Sequence, residues 1–138
     1  MNTKIFTILP QEAKNIRIEV FMKEQGFENE FDEIDTISHH IVVFDEGKPI
    51  GTCRFFKENN HYTIGRVAVL KKYRNLHIGN LLLESAENEI KKLNGDLIVV
   101  HAQVRVSPFY EKQGYIQFGQ IDDDEGVPHM WMKKKIQY

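Results

Sequence analysis

Residues 69–90, VLKKYRNLHIGNLLLESAENEI, constrain the fold more than any other stretch. The end of an apolar strand passes through a short basic turn with a single glycine, Gly79, into an amphipathic helix. The helix carries Leu82, Ala86, Ile90 and Leu93 on one face, which must be laid against other apolar surface. The strand before it closes a segment, HHIVVFDEGKPIGTCRFFKENNHYTIGRVAVL, that reads as a three-stranded antiparallel meander. Its turns, DEGK and ENN, are built of residues that tolerate positive φ. After the helix, NGD (94–96) is a stop, and LIVVHAQV is nearly continuously apolar, the pattern of a strand covered on both faces.

The flanking segments complete the order. KIFTIL is a short strand, and Pro10 opens a helix with Ala13, Ile16, Val20 and Phe21 on one face that fades near Gly26. Ser107 is positioned to cap a helix PFYEKQ, with Pro108 at its first position and Gly114 as a left-handed terminator. YIQFGQI and PHMWMKKKI follow as strands, with DDDEGV as the loop between them. The order β-α, three strands, α-β-α, two strands predicts an α/β (α+β) fold, a mixed sheet built from hairpins and crossovers and packed by helices.

At 138 residues the chain has the length of one domain, 1–138, large enough to bury a core without disulfides or metals. The net charge of −2 gives no basic field for nucleic acid, so no nucleic-acid partner is expected. Cys53 is the single cysteine, which excludes an internal disulfide, and no spacing of cysteine and histidine suggests a metal. The N-terminal residues lack the regions of a signal peptide and no run reaches a membrane span, so no membrane partner and a cytoplasmic location are expected.

The basic turn carries the chemistry. The first amides of a helix lack intrahelical partners and the helix dipole makes that end positive. Lys71, Lys72 and Arg74 add charge, and Gly79 lets a ligand approach the backbone. Such a turn suits phosphate or pyrophosphate; its lysines could equally serve solubility alone.

Arg74-Asn75-Leu76-His77-Ile78-Gly79, after a strand ending at Val69, resembles the pyrophosphate loop of the Gcn5-related N-acetyltransferase superfamily, with His77 where that loop has its first glycine. FYEKQGY (109–115) resembles the family's downstream Phe-Tyr-x-x-x-Gly-aromatic motif. EGVPHMWM, EVFMKEQGF and EID are similar to segments of a bacterial subfamily of small uncharacterised acetyltransferases, so the resemblance spans nearly the whole chain. It implies the acyl-CoA N-acyltransferase fold, with two parallel strands splayed apart, and transfer of an acetyl group from acetyl-CoA to a primary amine of a small molecule or protein. It further implies that the backbone of Val67 and Val69 pairs with the pantetheine arm. The amides from Arg74 through Asn75, Leu76, His77, Ile78 and Gly79 to Asn80 take the pyrophosphate, Gln103 holds the coenzyme arm, and Tyr110 is the general acid.

The base does not carry over. Gly65 stands about where many members have a glutamate. His129, His101 and His61 are the substitutes, and His129 is favoured because it lies in the subfamily-like GVPH segment. Six acids, Glu24, Glu28, Glu30, Asp32, Glu33 and Asp35, form a run that either attracts a cationic amine or is a solvated connector. The missing carboxylate leaves an alternative, an acyl-CoA-binding sensor or regulatory module without turnover. The identity of the acceptor amine is not legible, and the tryptophan-bearing last strand could support a homodimer.

Overall fold

The computed structural model describes residues 1–138. Seven strands, β1 (Asn2–Phe6), β2 (His39–Asp45), β3 (Lys48–Glu58), β4 (His61–Val69), β5 (Leu97–Gln103), β6 (Ile116–Asp124) and β7 (Val127–Lys135), form one sheet in the order β1-β2-β3-β4-β5-β7-β6. Every pairing is antiparallel except β4 with β5. The helices are α1 (Gln11–Arg17), α2 (Ile78–Lys92) and α3 (Ser107–Lys112). The mixed, mostly antiparallel sheet flanked by helices is the predicted fold class.

The alternation of side chains along β2 explains the layers. Ile41 and Val43 join α2 residues Ile78, Leu82, Leu83, Ala86 and Ile90 in the larger core. Val42 and Phe44 join Ala13, Ile16, Val20 and Phe21 of the N-terminal helical segment in the smaller one. The sheet is therefore covered on both faces. At about 25 cal/mol per Å² of apolar surface removed from water, each fully buried leucine or isoleucine contributes roughly 1.5–3 kcal/mol.

Several local expectations are corrected. β1 ends at Phe6, opposite His40, because β2 begins at His39 and the ladder runs out of partners; Ile8 is exposed. Pro10 sits just before the first helical residue, in an extended conformation, and its carbonyl accepts from the Lys14 amide at 3.1 Å. After Arg17 the helix widens into a π-helical stretch, Ile18–Glu24. Leu93 is 45% exposed, since it lies past the last helical residue of α2. Ser107 does not cap α3: its backbone is already helical and makes no side-chain cap bond, because the tight turn Val104–Val106 feeds straight into the helix. Asp122–Asp124 extend β6 rather than forming a loop, and the turn narrows to Glu125 and Gly126. Gly114 does end α3 in the left-handed region, at φ 95°.

Candidate functional site

The parallel pair is short. Tyr62, Thr63 and Ile64 pair with Ile98, Val99 and Val100, and the two strands then part. The cause lies on the other side of β4. The β3 register slips between Thr52 and Arg54, and Arg66 takes a left-handed conformation at φ 51°. A bulge of this kind bends the strand that carries it. Beyond it the Leu70 amide bonds back to Ile50 at 3.0 Å. By the alternation of an antiparallel ladder, the polar backbone groups of Val69 and Val67 then face away from β3, toward the opening.

Two concavities meet at this opening. A cleft of about 620 Å³ runs from Val67 and Val69 to the turn, where Asn75, His77, Ile78, Gly79 and Asn80 line it. A smaller cavity of about 140 Å³ is lined by Gly65, Gln103, Tyr110, His101 and His129. Gln25, Val67, Arg105 and Val106 border both.

At the turn, the carbonyl of His77 accepts the first helical bond of α2, from the Leu81 amide at 3.1 Å, so the amides of Ile78, Gly79 and Asn80 have no intrahelical acceptor. His77, the residue in place of a glycine, adopts φ 61°, and Asn75 φ 67°. A β-carbon at Gly79 would stand 3.3 Å from the Phe109 ring, so α3 packs against the turn at the point where a side chain is missing. Leu76 is exposed at the tip, and its side chain does not line the cleft.

The charges divide differently from the sequence expectation. Lys71 and Lys72 line a separate groove beside Glu12 and Glu19; the cations of the cleft are Arg74, Arg105 and Lys112. Arg74 is held: its Nη atoms donate to Glu24 at 2.5 and 2.7 Å, and its Nε donates to the Val69 carbonyl at 3.1 Å. The hydrogen bond to Arg74 keeps the Glu24 carboxyl below its ordinary range. Gln103 is held as well, donating to Gln25 at 2.9 Å and accepting from Arg105 at 3.0 Å. The end of the π-helical stretch thus reaches both Arg74 and Gln103. Gln25, Arg105 and Lys112 were not found from the sequence; only their placement beside the predicted segments could have signalled them.

The acidic run divides: Glu28 and Glu33 are exposed and carry no ion pair, whereas Glu30, Asp32 and Asp35 are engaged by arginines. Arg17 Nε donates to Glu30 at 2.7 Å and its Nη1 to Asp35 at 2.8 Å; Arg54 Nη1 donates to Asp32 and Asp35 at 2.6 and 2.9 Å. Arg66 joins Glu30 at 3.0 Å. Burial opposes ionisation of Asp35, yet hydrogen bonds from Arg17 and Arg54 hold its carboxyl below the usual range. At Glu30 burial wins and raises it despite Arg66 and Arg17. This network ties the run to α1, β3 and the bulge of β4, and Glu30 becomes part of the cavity wall.

The predicted chemical groups separate by position. Tyr110 is 7% exposed, packed edge-on against Phe109 and Tyr115, and its burial raises its phenol above the ordinary value. His129 Nδ1 lies 2.8 Å from the Val127 carbonyl. A carbonyl only accepts, so that nitrogen carries the proton and Nε2 keeps its lone pair. His101 joins His129 in the cavity, whereas His61 pairs with Glu58 at the β3–β4 hairpin and takes no part. A β-carbon on Gly65 would meet nothing within 4 Å, so the position lacks a carboxylate although it has room for one.

The acetyltransferase (GNAT) domain family matches residues 8–136. The uncharacterised N-acetyltransferase YjcF of Bacillus subtilis is 34% identical over 127 residues, covering 90% of this chain and 91% of its own. A provisionally assigned N-acetyltransferase from Lactobacillus plantarum superposes with a TM-score of 0.89 at 27% identity, over 99% of this chain and 100% of that one. An aminoglycoside 6′-N-acetyltransferase solved with coenzyme A shares the fold, with a TM-score of 0.79 at 15% identity over 98% and 97% of the two chains. No helix here is long and apolar enough to cross a membrane.

Proposed function

Because the chain belongs to the GNAT acetyltransferase domain family, we propose that residues 1–138 form one domain that transfers the acetyl group of acetyl-CoA to a primary amine of a small molecule or protein. The observation that carries this reading is the junction at Val67, where a cleft with unpaired helix amides meets a smaller cavity lined by a phenol and an imidazole. A coenzyme arm fits the first and an acceptor the second.

The amides of Ile78, Gly79 and Asn80 receive the pyrophosphate, assisted by Arg74, Arg105 and Lys112. The backbone of Val67 and Val69 pairs with the pantetheine arm, and Gln103 steadies it. His129 Nε2 removes a proton from the acceptor ammonium, and the free amine attacks the thioester carbonyl. As the carbon–sulfur bond breaks, Tyr110 donates a hydrogen bond to the departing sulfur, and the second proton of the attacking nitrogen passes to the thiolate, leaving the amide and CoA thiol.

The open space at Gly65 favours a second reading, an acyl-CoA-binding module without turnover. One experiment separates the two: a panel of amines screened for release of CoA thiol, beside calorimetry with acetyl-CoA alone. Binding with turnover establishes the transferase, binding without turnover on any amine establishes the module, and absence of binding removes both.

A further inference from the structure

We propose that His101 and Asp122 form the route by which the proton taken from the acceptor amine leaves the cavity. This rests on the reading of His129 as the base. His129 is buried, at 6% exposure, so once protonated it needs a neighbour to pass the proton on. Its neighbour is His101, two positions before Gln103 on β5 and therefore on the same face of the sheet. The ring centroids of His101 and His129 are 4.8 Å apart and inclined by 32°. His101 in turn stacks on Trp131 at 4.3 Å, a π face well suited to an imidazolium.

The far side of His101 meets a carboxylate. Its Nε2 lies 2.7 Å from Asp122 Oδ1, and the Asp122 side chain is half exposed. An ionised carboxylate only accepts, so Nε2 carries the proton and Nδ1 of His101 keeps a lone pair. The hydrogen bond from His101 lowers the pKa of Asp122, which keeps it in that ionised form. Asp122 owes its place to the sheet edge. The β6 register shifts between Phe118 and Asp122, and the slip sets Asp122 opposite His129. A bulge that re-aims a side chain is a frequent device beside active sites.

The other charges around the cavity are committed elsewhere. Glu30 is bound by Arg17 and Arg66, Glu125 accepts from the amides of Glu28 and Asn29, and Arg105 donates to Gln103. Asp124 lines the cavity and Tyr110 bounds it from α3, yet neither is hydrogen-bonded to an imidazole, so Asp122 is the carboxylate that holds one. The steps balance. The amine N–H breaks as an N–H forms at His129 Nε2, that proton crosses the cavity to Nδ1 of His101, and the proton on Nε2 leaves along Asp122 to water. No electrons change hands. His129 returns to its starting form, and His101, left protonated on Nδ1, regains its starting tautomer by exchanging ring protons with water through its exposed side.

The test uses the full chain, acetyl-CoA and the amine found by the screen. His101→Ala and Asp122→Asn should lower kcat by on the order of 10-fold or more at low buffer concentration, with KM for acetyl-CoA unchanged. Added imidazole should restore activity in both variants while leaving the wild type unaffected. Wild-type kcat in both variants, or a loss that imidazole does not restore, overturns the route and leaves the transferase standing. Full activity in His129→Gln removes the base, and the route with it. A readout independent of turnover is the ¹⁵N spectrum of the imidazoles. His129 should be protonated on Nδ1 and His101 on Nε2, and the opposite tautomer at either ring overturns the proposal even if no amine is turned over.

Discussion

Replacing Tyr110 by phenylalanine removes one oxygen and keeps the packed ring, so the fold should survive. The size of the kinetic effect follows from the burial of the phenol. Burial pushes its pKa above the ordinary value of about 10, whereas a thiol sits near 8.5. Full transfer of the proton to a departing thiolate is therefore uphill. The hydroxyl acts by hydrogen bonding to developing negative charge, which is worth about 1.5–3 kcal/mol. At about 1.4 kcal/mol per factor of ten, kcat should fall roughly 10- to 150-fold. KM for acetyl-CoA should hold, because the bond strengthens only as the sulfur becomes charged. The raised pKa also means that Tyr110 stays protonated from pH 6 to 10, so it contributes no alkaline limb to the wild-type profile. The assay is CoA-thiol release under saturating amine across that range, beside circular dichroism of both proteins. A folded variant with wild-type kcat at every pH would refute the reasoning, and a rise in KM alone would make the hydroxyl a binding group.

Gly79→Glu should abolish acetyl-CoA binding in calorimetry, since the new side chain meets Phe109 and brings negative charge to the turn; unchanged affinity in a folded variant rejects the pyrophosphate assignment. Glu24→Gln should strengthen binding. It frees Arg74 from an ion pair whose side chains are about one third exposed, and such a pair is worth at most about 1 kcal/mol, so the gain is no more than about 5-fold and shrinks with salt. Weaker binding would instead make Glu24 a supporter of the site. Arg17→Met leaves Glu30 and Asp35 buried without their shared partner and should cost about 3–5 kcal/mol by calorimetric unfolding. Because Asp35 is held below its ordinary pKa, its stabilisation is present above the unfolded value of about 3.9 and lost as pH falls through the folded one. The deficit of the variant should therefore narrow below about pH 4.

Elements with a strong period were legible. The meander, α2 with its apolar face and the doubly covered β5 all follow from spacing that any packing must respect. What escaped was set by tertiary contact. The acidic run at 24–35 reads either as a lure for a cationic amine or as a solvated connector, because Arg17, Arg54 and Arg66, the counter-charges of Glu30, Asp32 and Asp35, lie on three other elements. Lys71 and Lys72 sit in the basic turn yet face another groove, a direction that charge counting cannot supply. Tyr110, Gln103 and His129, named from the sequence, line one cavity, whereas what sets His101 apart among the substitute histidines is its contact with Asp122, a tertiary juxtaposition. The register slip that brings Asp122 there depends on β6 leaving ideal pairing, which leaves no local signature beyond Gly119.

The brief contact between β4 and β5 should also shape how the molecule moves. Pairing at Tyr62–Ile64 alone makes the sheet two sub-sheets, β1–β4 and β5–β7, hinged along a seam of three residue pairs. Cooperative units of this kind open at different free energies. The halves should therefore breathe against each other, and amide exchange should be slow within β2 and β3 and faster along the open edge of β4. Any molecule that bridges Val67 and Val69 to β5 acts as a stitch across the seam. Its arrival should register as slowed exchange and raised cooperativity of melting at residues that never touch it, making stiffness itself a measure of occupancy.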